Sequence, residues 1–213
     1  MSQNVVAIDG PSGTGKTTVS RLVAARLGLP YLDTGAFYRA ATHAALDAGI
    51  DIDDGEAVAA LLAGIRLEQE NKRTFVDDID VSEAIRSAEV TSKVSVVSAH
   101  PEVRAILVDR QREWVALHDG GAVVEGRDIG SVVFPDAEVK IYLDASPPVR
   151  AGRRAIQEGV HPESVLESIR RRDHIDSTRT TSPLTVADDA RVIDTSDLNL
   201  EEVVDLIVDL VSD

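Results

Sequence analysis

The sequence predicts an α/β fold: a five-stranded parallel sheet flanked by helices, with a small antiparallel β insertion and a helical lid. Three observations predict it. Short apolar segments alternate along the chain with stretches of helical periodicity, the pattern of a parallel sheet with crossover helices. The first segment runs straight into Gly10-Pro11-Ser12-Gly13-Thr14-Gly15-Lys16-Thr17, a glycine, four residues and then Gly-Lys-Thr, set between a strand and a helix. Two regions break the alternation: a period-two stretch near Ile65–Arg86, and an arginine-rich helical pair over Val149–Arg179.

Taken in order, Val5–Asp9 is a β-branched run suited to a strand buried on both faces. Val19, Leu22, Val23 and Leu27 recur at helical spacing up to Gly28, a C-cap glycine. Tyr31–Asp33 is the second strand, followed by a helix over Ala36–Ala48 with Thr34 as N-cap and Gly49 as its stop. Ile65-Arg66-Leu67-Glu68 alternates by two, Asn71-Lys72 makes a tight turn, and Thr74-Phe75-Val76 alternates back, with a third strand near Ile79–Val81. Glu102–Leu117 is a helix with Val103, Leu107 and Trp114 on one face. Ala122–Glu125, Val139–Leu143 and Arg191–Asp194 complete the sheet. Gly159 and Pro162 break the arginine-rich stretch into two helices. The last helix opens with Asn199 and Glu202 at capping-box spacing and runs apolar at Val203, Leu206, Ile207 and Leu210. One unit results, with a core of 1–60, 101–148 and 180–213, an insertion at about 61–100 and a lid at about 149–179.

Composition narrows the chemistry. The 213 residues are 43% hydrophobic and contain no cysteine, which excludes disulfides, thiolate metal sites and cysteine nucleophiles. The chain enters its first strand at once, leaving no room for a signal peptide, and no apolar run approaches membrane-spanning length, so a cytoplasmic enzyme is expected, taken here as a monomer although the sequence does not fix oligomeric state. A net charge of −15 argues against nucleic-acid and anionic-membrane partners, and 3% aromatics leave little for base stacking. Yet of 22 basic residues only four are lysines, and seven of the arginines fall between Arg150 and Arg179. Guanidinium forks suit phosphate and carboxylate, so small polyanions are the expected ligands. His43, His100, His118, His161 and His174 share no metal-ligand spacing and take no role.

The loop from Gly10 to Thr17 has the makings of a phosphate cradle. Glycines allow the backbone to fold so that successive N–H groups point at an anion, and the helix N-terminus behind adds its dipole. Gly10, Pro11, Ser12, Gly13, Thr14, Gly15, Lys16, Thr17 and Thr18 form this candidate site. Lys16 reaches the β and γ phosphates of a nucleotide and the Thr17 hydroxyl ligates Mg²⁺. Two further clusters fall at strand ends, where open α/β sheets build their sites: Asp33-Thr34-Gly35 with Tyr38 and Arg39, and Glu125-Gly126-Arg127-Asp128. Taken singly, Arg39 or Asp128 serves equally well in a structural ion pair; together with the loop, they favour a site for two phosphates. Arg150, Arg153 and Arg154 share one helical stripe, and Arg170, Arg171 and Arg172 follow on the next helix. This is the form either of a lid over a triphosphate or of a solvated helical hairpin. Asn71-Lys72-Arg73-Thr74 lacks the aspartate of a guanine-reading Asn-Lys-x-Asp pattern, which counts against a nucleotide-hydrolysing switch.

Five segments in register resemble the bacterial cytidylate kinase family: Asp9–Lys16, Asp33–Arg39, Asp80–Arg86, Glu125–Gly130 and Arg171–Arg179. The similarity runs from about Val5 to Leu210. It implies a P-loop kinase that transfers the γ-phosphoryl of ATP, with Mg²⁺, to CMP or dCMP. By that resemblance Lys16, Arg127, Asp128 and Arg153 carry the chemistry. Arg39, Arg127 and Arg172 grip the CMP phosphate, and Thr34 and Tyr38 line its pocket. Asp128, Arg172 and Asp176 address the pentose, and Ser95, Arg104 and Arg179 read cytosine. Arg150, Arg153 and Arg154 match the lid arginines without distinguishing which touches the transferring group. Two positions depart from the family: the lid turn Gln157–Pro162 is shorter than in many relatives, and Thr178 stands where asparagine is common. A kinase for UMP or a metabolite hydroxyl is the rival activity.

Overall fold

A computed structural model describes residues 4–70, 72–119, 121–179 and 181–212. The chain divides into two compact units, Met1–Leu32 with Val115–Asp213, and Asp33–Trp114.

The first unit is built on the parallel sheet. Strands β1 (Val5–Asp9), β2 (Tyr31–Asp33), β6 (Ala122–Glu125), β7 (Val139–Asp144) and β8 (Arg191–Asp194) stand in the order β2-β6-β1-β7-β8. β1 sits in the middle, pairing Val5 with Ala122 and Ile8 with Glu125 on one side, and Val6 with Val139 on the other. It is buried along its whole length, which is why it reads as an uninterrupted β-branched run. Because the strand order reverses beside β1, its C-terminal end is the crevice where such sheets hold ligands. Helices α1 (Lys16–Leu27) and α8 (Leu200–Ser212) pack Val19, Val23, Val203, Val204 and Ile207 against Val6, Ile8, Val123, Ile141 and Leu143. Asn199 and Glu202 exchange backbone N–H bonds at the start of α8, the expected capping box. Leu22 and Leu206, expected in the buried stripes, are instead exposed: Ser20 with Ala24, and Val204, turn inward in their place.

Helices α6 (Pro147–Glu158) and α7 (Pro162–Thr178) form the arginine-bearing pair. Gly159 terminates α6 in the left-handed conformation, and Ala151, Ala155, Val165 and Ile169 make a small core of their own.

The second unit contains α2 (Thr34–Asp47), α3 (Gly55–Gly64), the antiparallel strands β3 (Leu67–Glu70), β4 (Arg73–Val76) and β5 (Ile79–Asp80), α4 (Ala88–Val97) and most of α5 (Pro101–Leu117). The hairpin starts two residues later than the alternation predicts. Ile65 still caps α3 through its N–H to Leu62, and the N–H of Arg66 goes to the Asp77 carboxylate. Asn71 of the expected Asn71-Lys72 turn lies outside the described residues. β4 and β5 are joined through Asp77 and Asp78, both at positive φ, as a two-residue hairpin turn requires. The N-cap of α2 is Asp33, not Thr34: its carboxylate accepts the Ala36 N–H at 3.0 Å, and Thr34 is already the first helical residue.

Candidate functional site

The phosphate loop leaves β1 through Gly10, whose φ of 143° and contact with β7 admit no side chain: a Cβ there would overlap the Leu143 carbonyl. Gly13 is the second such position, since a Cβ would come within 3.0 Å of the Arg150 Cβ. α6 therefore lies directly on the loop. Arg150 donates to the Ser12 carbonyl at 3.1 Å and Arg153 to the Thr14 carbonyl at 3.1 Å. With those carbonyls held by α6, the loop amides are left for an anion. Arg153 is further fixed by the Thr195 hydroxyl at 2.9 Å, and Arg150 by an ion pair with Asp173 of α7 at 2.7 Å.

Lys16, the first residue of α1, is buried and donates to the Pro11 carbonyl at 2.6 Å. Burial holds its amine well below the usual lysine range, and the positive charges of Arg127 and Arg172 push the same way against Glu125 and Asp9. The Thr17 hydroxyl donates to the Glu125 carboxylate at 2.8 Å, and the Tyr31 hydroxyl reaches the same oxygen at 2.5 Å. A hydroxyl beside a buried carboxylate is a hard oxygen set that fits Mg²⁺, an ion that completes its octahedron with water and phosphate.

After β6 the chain passes through Gly126, Arg127 and Asp128 into a π-helical turn over Ile129–Val133. Asp9, at the end of β1, accepts the N–H groups of Ile129 and Gly130 on its two carboxylate oxygens, at 2.8 Å each. The turn's first orphan donors are thereby satisfied by a residue from the phosphate-loop strand. Burial raises the Asp9 carboxyl to about 6, and the nearby Asp128 charge adds to that, against the two backbone donors and Lys16. Two ion pairs then join this segment to α7 and its end: Arg127 with Asp176 at 3.0 Å, and Arg179 with Asp128 at 3.6 Å. Lys16, Arg127, Asp128, Arg153, Arg172, Asp176 and Arg179 thus belong to one unit, on the β1 and β6 ends, α6 and α7.

In the second unit, Arg39 forms an ion pair with Asp33 at 2.8 Å. Thr34 and Tyr38 are buried on the same helix, and Arg104 of α5 lies over the Tyr38 ring, 5.4 Å from its centroid. Ser95 is buried on α4, and Arg104 donates to Ser98 just beyond that helix. Among the described residues no group of three or more histidine, aspartate or glutamate side chains could hold a metal ion.

Asp9, Asp33, Asp173 and Thr195 also hold the site together, each through a contact that the motifs alone do not assign. Asp9 and Asp33 carry a local signal, an acidic residue closing a strand just before a glycine motif; Asp173 and Thr195 carry none, because their partners lie far along the chain.

The cytidylate kinase family model matches residues 6–213. The chain belongs to the cytidylate kinase family. A cytidylate kinase of Streptomyces avermitilis is 50% identical over 98% of this chain and 93% of its own length, and one of Mycobacterium leprae is 51% identical over 99% and 96%. A shikimate kinase structure from Bacteroides thetaiotaomicron covers 98% of both chains at a TM-score of 0.50 and 13% identity, a likeness of fold alone. Membership of this family makes the chain a phosphotransferase, as its motifs predict. No helix among the described residues is long and apolar enough to cross a membrane.

Proposed function

We propose that the protein transfers the γ-phosphoryl of ATP to CMP or dCMP, giving CDP or dCDP and ADP. The observation that carries this reading is the gathering of Lys16, Arg127 and Arg172 close enough to depress the Lys16 amine, beside a loop whose carbonyls are tied back by α6. That arrangement suits phosphate oxygens. Family membership supplies the cytidine.

Lys16, the loop amides and Thr18 take the ATP phosphates, with Arg153 supporting the loop. Thr17, with Glu125 behind it, would hold Mg²⁺, which would supply charge neutralisation at the triphosphate. Arg39, Arg127 and Arg172 take the acceptor phosphate, with Thr34 and Tyr38 beside Arg39. Asp128, Arg172 and Asp176 address the pentose, and Ser95, Arg104 and Arg179 read cytosine. The attacking oxygen belongs to a phosphate already largely ionised near neutral pH, so the chemistry asks for alignment and charge neutralisation, not for a strong base. Hydrogen bonds to the cytosine edge give the selectivity, because a site built of buried donors and acceptors rejects an analogue that leaves them unpaired. The α6–α7 pair, with its own small core, acts as the lid that excludes water.

ADP release coupled to an absorbance readout, with CMP, dCMP, UMP and AMP as acceptors at fixed ATP, tests the proposal. Turnover with CMP and dCMP well above the other two supports it. Preference for UMP, or ATP consumption indifferent to any monophosphate, would replace it. The active species is taken to be the monomer, which sedimentation at assay concentration checks.

A further inference from the structure

We propose that Gln69 of β3 is a positioning residue for the acceptor phosphate, acting on Arg39 through Asp33, and that the small antiparallel sheet serves as a brace. This rests on the assignment of Arg39 to the CMP phosphate. The Gln69 side chain is buried and grips the Asp33 backbone from both sides: its Oε1 accepts the Asp33 N–H at 2.8 Å, and its Nε2 donates to the Asp33 carbonyl at 3.3 Å. A side-chain amide here does what a neighbouring strand would do, and it fixes the peptide planes on either side of Asp33. The strand's own carbonyl is used as well, since the Trp114 indole N–H donates to the Gln69 oxygen at 3.0 Å.

What is fixed in this way is the anchor of Arg39. One Asp33 carboxylate oxygen caps α2 at Ala36, and the other holds the Arg39 Nη2 at 2.8 Å, with Arg86 at 3.9 Å. The guanidinium lies so close over Gly35 that a Cβ there would sit 3.1 Å from both Arg39 Nη1 and Asp33 Oδ1. The Arg39 Nε–H is buried and has no hydrogen-bond partner among the described residues. The fork is thus held along one edge by a carboxylate whose backbone is itself held by Gln69. A small displacement of a charged grip is expensive in catalysis, because alignment supplies much of the rate. The β insertion supplies Gln69 from β3 and Arg86 from just after β5, so it reaches Asp33 at both backbone and carboxylate.

Steady-state kinetics on the whole protein test this, with KM for CMP and for ATP measured in wild type, Gln69→Leu, Arg39→Ala and the double variant. Gln69→Leu should raise KM for CMP roughly tenfold while KM for ATP stays within about twofold, and in the Arg39→Ala background it should add less than about twofold, since a residue acting only through another shows no independent effect. Gln69→Glu keeps the acceptor for the Asp33 N–H and loses the donor, so its rise should be intermediate. Trp114→Phe, which removes only the indole N–H, should raise KM for CMP about two- to threefold by the same coupling. These two milder variants decide the matter if Gln69→Leu does not fold. Additive effects in the double variant, a parallel rise in KM for ATP, or an unchanged KM for CMP would overturn the brace. A wild type that releases no ADP in response to CMP would overturn the proposed function itself, before any variant is measured.

Discussion

Asp9→Asn should make the stability of the protein respond differently to pH, and the structure gives the size of the effect. Asp9 is buried and both of its carboxylate oxygens are occupied, by the N–H groups of Ile129 and Gly130 at 2.8 Å each. Asparagine keeps one acceptor and turns an amide NH₂ toward the second backbone N–H, leaving a buried donor unsatisfied at a cost of about 1–3 kcal/mol. The wild-type carboxylate carries an opposing cost. Its pKa is raised from 3.8 to about 6, burial being the largest cause. A shift of about two units corresponds to about 3 kcal/mol between the ionised and protonated forms. At about pH 7.5 the two costs nearly cancel, and the variant should unfold within about 1 kcal/mol of wild type.

The balance changes as the pH is lowered. Because the folded carboxyl binds its proton at higher pH than the unfolded one, protonation stabilises the folded wild type. That stabilisation is complete below the unfolded value and is lost as pH rises through about 6. Between about pH 7.5 and pH 4.5 wild type should therefore gain about 2 kcal/mol over Asp9→Asn, which has no carboxyl to titrate at this position. Lys16 and Asp128 face this position in both proteins, so the difference reads Asp9 together with the shift that its charge imposes on Lys16. Urea unfolding of both proteins across that range is the assay. A difference that stays constant to within about 0.5 kcal/mol would show that Asp9 titrates as an ordinary carboxyl and that burial does not raise it.

Three further outcomes follow from the same geometry. Lys16→Ala should lower kcat at least about a hundredfold with the fold intact by circular dichroism, and near-normal turnover would remove Lys16 from the phosphate site. Arg179→Leu should raise KM for CMP at least about tenfold more than KM for ATP, because its near-buried side chain faces Asp128, and equal effects would place it elsewhere. Gly10→Ala should cost at least about 3 kcal/mol in urea unfolding, since the added Cβ meets the Leu143 backbone at a φ that side chains avoid, and a loss under about 1 kcal/mol would mean that β1 and β7 can separate there.

The parts of this molecule that could be read from the chain are those whose physics is local. β1, β2, β6 and β8 begin and end where expected because short apolar runs meet Gly, Pro or Asp at their boundaries, and the capping box of α8 is visible as Asn199 and Glu202 three residues apart. α3 drew no expectation, because Gly55–Gly64 is almost uniformly small and apolar and has no distinct period. The shift of β3 came from Asp77, whose carboxylate takes the Arg66 N–H across the hairpin. The site shows the same division. Its glycines and arginines carry the expectation of a phosphate ligand, but the bonds from Asp9 to Ile129, from Arg150 to Ser12 and from Arg153 to Thr195 join positions with no relation along the chain.

Those distant bonds also fit the proposed phosphate site to so acidic a chain, at −15. Arg39, Arg127, Arg150 and Arg179 each face an aspartate of their own unit: Asp33, Asp176, Asp173 and Asp128. Their guanidinium groups are aligned by carboxylates in advance, so on the proposed assignment an incoming phosphate would meet donors already in position and gain less from each than from an isolated charge. Lys16 differs. It is buried, its nearest hydrogen-bond partner is a neutral carbonyl, and Arg127 and Arg172 depress its amine further. A triphosphate bound as proposed would relieve that repulsion and raise the lysine pKa back toward its ordinary range. On the proposed assignment the arginines would supply alignment, and Lys16 the electrostatic gain that grows as charge develops on the transferring group.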